Sequence, residues 1–549
     1  MKKKRGVVLM LLSSIALASC MTSDIMMIPA ASDDQQVAVG NEGILLVQVA
    51  DTTPFGRWYP ANQLTVAPKV VNEEDTNKFP RLEAAEGYKG STQFFYSKLP
   101  PNEYSLKSIR AFKSLGEAWF SQFYPADIDL GTFTIEPGKV TDLGILVIYI
   151  KRSGEDYYFD TVRIPSESRT ADEFRAAAPG LAASLANLDD PLTWHPDANE
   201  ADRDAEYSAA VNRQIVYGDA FVDQSAGLLM FPSRLGVFIK REVNGIWELD
   251  AVSDDVELRQ VTRVDGADVV VTEFNEIFLR AAGESEWESV AAPVGPGELM
   301  YIGHHETAGV IAVRQSDDSV SVWMTPQLGD TWNNAGSFVP ELGFFASLDQ
   351  SLLGIDQDIE GASYVLFGDD LLLALRKDLY RFNVHQKTFT EIKLPKADSV
   401  QVRNGFITVR HSSTNSAGRV SFDGGQTWVK TQGFFIDERD VEKKPARRGS
   451  SDLPKVKLQG HPIFIDEKLG FAINKKGNKK DDTPLLLSTR NGAQSWVARP
   501  EFAPLPKGCG QLILATNEEL LLSCFLSGEF YRSVDGGKSW KVDRAVSET

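Results

Sequence analysis

Between residues 36 and 151, apolar and polar positions alternate over short runs broken by turn residues, the pattern of strands with one buried face. Residues 44–49, 93–97 and 102–106 read as strands, the last entered through a Pro100-Pro101-Asn102 turn. A Pro137-Gly138 turn separates two further strands, and residues 145–150 are so apolar that both faces should be covered. This predicts a β-sandwich over 36–151. From 152 to 213 the spacing changes. Thr170-Ala171-Asp172-Glu173 has the hydroxyl and carboxylate of a capping box, and Phe174, Ala178, Leu181, Leu185 and Leu188 fall on one helical face. Pro179-Gly180 interrupts that face, so a kink or two short helices is expected. A second, polar helix is expected over 197–212, and the whole stretch reads as a helical connector. Beyond 214 short apolar strands return, such as 268–273 and 370–375, each followed by a turn and an aromatic residue.

The aromatics recur at Trp247, Trp287, Trp332, Phe389, Trp428, Trp496 and Trp540, spaced by 40, 45, 57, 39, 68 and 44 residues. Two of them close near-identical motifs, Ser421-Phe422-Asp423-Gly424-Gly425-Gln426-Thr427-Trp428 and Ser533-Val534-Asp535-Gly536-Gly537-Lys538-Ser539-Trp540. Each motif resembles the Asp-box of sialidase-like and BNR-repeat propellers. In that reading Ser421, Asp423, Gly425, Thr427 and Trp428, with Ser533, Asp535, Gly537, Ser539 and Trp540, are structural. The Asp accepts N–H groups in the turn, the Gly takes a positive φ, and the Trp packs into the blade interior. Weaker copies are Thr325 to Trp332, with Gln327 for Asp, and Ser488 to Trp496, which looks stretched by one residue. Ala281 to Trp287 and Glu242 to Trp247 are further decayed, and Tyr380 to Phe389 has a different turn. Blades repeat at about 40–50 residues, and the two long spacings coincide with turn-rich inserts at 349–361, 437–460 and 474–483. The expected fold is therefore mainly β: an N-terminal β-sandwich, a short helical connector and a C-terminal seven-bladed β-propeller over 214–549. The weak motifs leave six or eight blades open. Ring closure is open too, between blade-to-blade packing and an extra strand from residues 156–164. The N-terminal strands are similar, generically, to prealbumin-like and carboxypeptidase-regulatory-like sandwiches.

The first residues form an address rather than a fold. Lys2, Lys3, Lys4 and Arg5 precede an apolar run too short to span a bilayer. The run ends Leu17-Ala18-Ser19-Cys20, which resembles the lipobox of bacterial lipoproteins. The resemblance implies a signal peptide over 1–19, cleavage before Cys20, and a lipid on its sulfur that anchors the chain to a membrane. Several acyl chains hold a protein stably, at about 0.8 kcal/mol per buried CH₂. Residues 20–35 read as a lipidated tether. In such lipoproteins an Asp after the Cys signals inner-membrane retention; Met21 stands there, which favours the outer membrane. No later segment is long and uncharged enough to span.

Cleavage sharpens the charge. The 549-residue chain has a formal net charge of −19; without its first 19 residues, 53 Lys and Arg face 76 Asp and Glu, giving −23. That balance disfavours nucleic acid as a partner, because phosphate binding needs clustered Lys and Arg. Besides Cys20 the thiols are Cys509 and Cys524, flanking an expected hairpin. They are a candidate disulfide in an exported protein, with two buried free thiols as the other reading. The six histidines, His195, His304, His305, His385, His411 and His461, show no zinc-type spacing, so neither metal nor cofactor is expected. Acidic pairs at Asp254-Asp255, Asp317-Asp318 and Asp369-Asp370 read as exposed turns, and residues 442–448 as a locally basic surface loop. Val162-Arg163-Ile164-Pro165 contains an Arg-Ile-Pro like that of sialidases, but it lies some 50 residues before the first expected blade. No catalytic set is assignable. The preferred reading is a non-catalytic envelope lipoprotein whose propeller binds an envelope protein or a glycan. The alternative is a sialidase-like glycoside hydrolase.

Overall fold

The computed structural model describes residues 27–545 apart from internal stretches, the longest of which are 32–40, 70–78, 341–361, 440–453 and 475–483. The expected signal peptide over 1–19, Cys20, His411, the Asp254-Asp255 pair and the basic residues 442–448 lie outside the described residues. No described helix is long and apolar enough to cross a membrane.

The N-terminal strands are β1 (Met27–Ile28), β2 (Gly43–Asp51), β3 (Ala61–Pro68), β4 (Arg81–Glu83), β5 (Thr92–Leu99), β6 (Asn102–Leu115), β7 (Ala118–Pro125), β8 (Thr132–Ile135), β9 (Val140–Ser153) and β10 (Asp156–Ile164). One sheet runs β1-β4-β3-β6-β7 with β8 on β6; the other runs β10-β9-β2-β5, with β2 and β9 parallel. Alternation along β2 explains the layers. Leu45, Val47 and Val49 meet Leu64, Val66 and Ile109 of the first sheet. Ile44 and Leu46 face the other way, under Phe174 and Leu181 of α1 (Thr170–Ala177) and α2 (Pro179–Ala183). All nine residues of β2 are therefore buried, as a strand covered on both faces must be. The third helix, α3 (Glu200–Asn212), sets Ala210 against Val147 and Tyr149 of β9.

Three expectations change. The stretch 20–35 is not all tether: β1 pairs with β4, and the Ala31 N–H bonds the Tyr96 carbonyl at 2.8 Å. Residues 156–164 are neither connector nor a ring-closing strand; they pair with β9 along their whole length as β10. The capping box does not form either. Arg169 is the N-cap of α1 without a side-chain cap bond, and Thr170 is buried inside the first turn. Arg169 is drawn outward instead, to Glu276 at 3.2 Å and over the ring of Phe274. At Pro179 the chain starts a new helix with Pro in its first turn, where the missing N–H costs nothing.

Residues 221–544 form seven consecutive antiparallel sheets: blade 1 (221–251), blade 2 (258–290), blade 3 (298–338), blade 4 (363–392), blade 5 (399–430), blade 6 (458–498) and blade 7 (509–544). Each has four strands in chain order. Blade 6 has a fifth, Phe434–Asp437, laid parallel against its outer strand Ser495–Ala498. From blade 2 to blade 7 the innermost strands of successive blades abut. Seven apolar clusters sit one at each blade junction, including a seventh between blades 7 and 1 that closes the ring.

The aromatic anchors belong to these junctions and not to blade interiors. Trp496 is fully buried between blades 5 and 6, its Nε1 donating to the Thr431 carbonyl of the preceding blade at 2.8 Å. Trp332 does the same to the Ala291 carbonyl of blade 2. Trp247, Trp287, Phe389, Trp428 and Trp540 occupy the equivalent junctions. A ring of sheets twisting away from a common axis leaves a wedge between outer strands, and a large flat side chain fills it. Among the described residues no strand is exchanged between the first and last blades, and the seam there is made by side chains. Phe231 and Trp247 pack on Phe530, and Arg241 pairs with Glu519 at 2.9 Å and Asp543 at 2.9 Å.

Candidate functional site

Antiparallel alternation gives the propeller two unlike faces. One collects the turns between the second and third strands of each blade and the blade-to-blade connections. On this face, at blades 1 and 2, the sandwich is seated. Arg234, in the turn after Leu228–Pro232, is almost wholly buried and donates through Nη1 to the carbonyls of Asp51 and Thr53. Its Nε stands 3.9 Å from Glu257. Glu257 accepts the Ser91 N–H at 3.2 Å. Glu273 accepts the Thr92 N–H and hydroxyl and the backbone N–H of Glu257. Asp51 accepts the Thr53 N–H at 2.8 Å and the Tyr124 hydroxyl at 3.0 Å. Two carboxylates, Asp51 and Glu257, thus face one buried guanidinium, and Glu273 joins the junction through Glu257 and Thr92. Burial, and then the Glu257 carboxylate, raise Glu273 to about 7. Burial raises Asp51 as well, against the pull of Arg234. Gly90 is needed for the approach, because a Cβ there would lie 1.7 Å from a Glu273 oxygen. Tyr88, Phe94 and Phe274 seal one side with ring centroids 4.7–6.4 Å apart.

The opposite face is built from the tight turns joining first to second and third to fourth strands. The two motifs ending in Trp428 and Trp540 lie here. Asp423 accepts the N–H groups of Gln426 and Thr427 and the hydroxyls of Ser421 and Thr427, while the Gly425 N–H bonds Ser421 Oγ at 2.7 Å. Asp535 repeats this with Lys538, Ser539 and Ser533, and Gly537 with Ser533. These bonds, led by the Thr427 and Ser539 hydroxyls, hold both carboxyls down at about 2. Blade 6 carries a third such turn in register. It starts at Thr489, not Ser488, so no residue is inserted. Asn491 accepts the Ser495 N–H at 3.0 Å, and Ala493 takes the glycine position at φ 67°. On the same face Asn404 donates to the Phe464 and Ala515 carbonyls, tying blades 5, 6 and 7 at the mouth of the central channel.

In blade 7 Cys509 and Cys524 are register partners on adjacent strands, with their sulfurs joined. Arg163 lies on β10 in the sandwich, bonded to Asp197 at 3.3 Å and stacked over Trp194. The Arg-Ile-Pro match is thus away from the propeller channel. The histidines divide. His195 bonds Thr132 and Thr134, and His461 bridges Ser399 and Thr408 with burial pressing it down to about 3. His304 meets Asp265 at 3.0 Å. His305 and His385, eighty residues apart, converge on Asp369. Sequence spacing carries no trace of that meeting, nor of the Arg234 network, because the partners come from different blades or different domains.

No family model matches the chain, and no curated protein matches it in sequence. In structure it is similar to YCF48 from Cyanidioschyzon merolae, at 11% identity over 56% of this chain and 92% of that one, with a TM-score of 0.38. It is also similar to Saccharomyces cerevisiae Sqt1 (12%, 61% and 86%, TM-score 0.39) and to BamB from Moraxella catarrhalis (14%, 57% and 83%, TM-score 0.32). These scores are low, and it is the strand order of the seven sheets that defines the propeller.

Proposed function

We propose that the chain is a non-catalytic lipoprotein of the bacterial envelope, held by acyl chains on Cys20, whose propeller presents its tight-turn face to a protein or glycan partner. The observation that carries this reading is the asymmetry of the two faces. The sandwich, which follows the anchor in sequence, is fixed over blades 1 and 2 on one face, and the turns of the other face point away from it. Those turns are stiffened from within by the Asp423 and Asp535 bonds, so they offer a preformed surface, and preformed surfaces lose little entropy on binding. A sialidase-like hydrolase is less well supported, since Arg163 is committed to Asp197 and Trp194 inside the sandwich. The test combines three measurements on cells expressing the full chain. A metabolic fatty-acid label should enter the protein and be lost in Cys20→Ser. A photo-crosslinker at Gln386, on the tight-turn face, should trap a defined partner that one at Tyr158, in the sandwich, does not. Purified protein should leave a fluorogenic sialoside intact; turnover lost in Arg163→Ala would reinstate the hydrolase.

A further inference from the structure

His305 ends the innermost strand of blade 3, Glu298–His305. Asp369 is in the first turn of blade 4, and His385 follows its third strand, Asp378–Asn383. All three lie on the tight-turn face. His305 Nε2 is 3.1 Å and His385 Nε2 3.4 Å from the same oxygen, Asp369 Oδ1, and all three ligand atoms lie within 4.8 Å of one another. The two imidazoles stand edge to face with centroids 5.3 Å apart.

We propose that His305, Asp369 and His385 form a binding site for a divalent transition cation of the zinc type, clipping blade 3 to blade 4. Two imidazoles and one carboxylate are a donor set that zinc takes readily, with bonds of about 2.0–2.2 Å and a fourth position left to water or an incoming ligand. In a tetrahedron of such bonds the ligand atoms are about 3.3 Å apart, and two of the three separations here already have that length. Only the third must close, and His385 is half exposed and able to swing. The burial is graded as an open site requires. His305 is the fixed wall, while Asp369 and His385 face solvent and leave the fourth position accessible. The orienting contact is present too. His305 Nδ1 stands 3.3 Å from the Thr307 hydroxyl, which accepts the Nδ1 proton when Nε2 holds the metal. Capture then costs the long bonds that the Thr307 and Ala308 N–H groups make to Nδ1, at 3.3 and 3.2 Å. Without a cation the same oxygen accepts from both rings, which preassembles the site.

The experiment uses the full chain in detergent, without a polyhistidine tag, stripped with chelator and titrated with Zn²⁺ or Co²⁺ alone. Wild type should bind one zinc per chain, melt at a higher temperature with it, and give the visible absorption of tetrahedral cobalt. His385→Ala, at an exposed position, should lose at least about ten-fold in affinity together with the cobalt band. Asp369→Asn should weaken binding with the fold unchanged by circular dichroism, and His304→Ala should bind as wild type does. Absence of a cobalt band in wild type, or zinc binding undiminished in His385→Ala, overturns the proposal.

Discussion

The blades meet one another through apolar clusters repeated seven times, each with a large aromatic at its outer edge. The sandwich meets blades 1 and 2 through apolar contacts at Leu235 and Phe274 and through a network of Arg234, Asp51, Glu257 and Glu273. Both junctions are dry, but they draw on different physics. Apolar burial is non-directional and tolerates variation, which is how Phe389 serves where six other blades use Trp. A buried ionic network is directional. It contributes little net energy, and losing one member leaves uncompensated charge. The first kind of junction stacks interchangeable units; the second fixes one orientation between two unlike domains.

The largest effect that separates the two should come from Trp496→Ala. It empties a fully enclosed junction and removes the Nε1 bond to Thr431, at a cost of about 3–5 kcal/mol. Chemical denaturation should show this loss equally at pH 6 and pH 9, because nothing in that cluster titrates. Arg234→Met should cost a similar or slightly smaller amount, about 3 kcal/mol, by stranding the buried carboxylates of Asp51 and Glu257. Here the loss should be local: hydrogen exchange should rise along β2 and β5 while blades 3–7 keep their protection. A uniform loss across the ring would erase the distinction between the junctions. Reducing Cys509–Cys524, which closes a 15-residue separation, should lower stability by about 3 kcal/mol on chain-entropy grounds. Mass measurement after alkylation, with and without reductant, reports whether the bond is present.

Smaller, and specific to the charged junction, is its pH dependence. Glu273 has an ordinary value of 4.5 when unfolded and about 7 when docked, so between these the folded state holds a proton that the unfolded state has lost. Its contribution is full below about pH 4.5 and disappears as pH rises through 7, a difference of up to about 3 kcal/mol. Glu273→Gln should flatten that slope and make docking at pH 8 firmer than in wild type. Asp423→Asn should give the smallest change, a slight fall in melting temperature. Its carboxyl sits near 2, so the turn it holds is at full strength above the ordinary range and weakens only as pH falls toward 2.

What could be read from the chain divides along the same line. Seven aromatics at near-regular spacing mark seven apolar junctions because a repeated packing problem leaves a repeated residue. Continuous apolar runs marked β2 and β9 because both faces of each are covered. Residues 156–164 read as a candidate strand, but for the ring and not for β9, because Tyr157, Tyr158 and Phe159 are consecutive aromatics that break alternation and so leave no register to read. Thr489 was misread as displaced because Asn491 and Ala493 replace the two most diagnostic residues of the turn. The charged junction left no mark at all: Asp51 and Arg234 are 183 residues apart, and each alone is an ordinary polar residue, one at a strand end and one in a turn. The His305, Asp369 and His385 cluster was hidden likewise, since metal spacings in sequence detect ligands on one element and these come from three turns.

The seam of side chains between blades 7 and 1 has a temporal consequence. Because no described strand of a blade comes from the far end of the chain, each blade is assembled from consecutive strands. A polypeptide delivered N-terminus first, from a ribosome or through a membrane channel, can finish the sandwich and then one blade after another as it emerges. Only the last step waits for the end: Phe530 must arrive before Trp247 and Phe231 are covered from the far side, and Glu519 and Asp543 before Arg241 loses its water. Until then the partly delivered ring is an open arc with one apolar edge at blade 1, the interval in which a chaperone would be most needed.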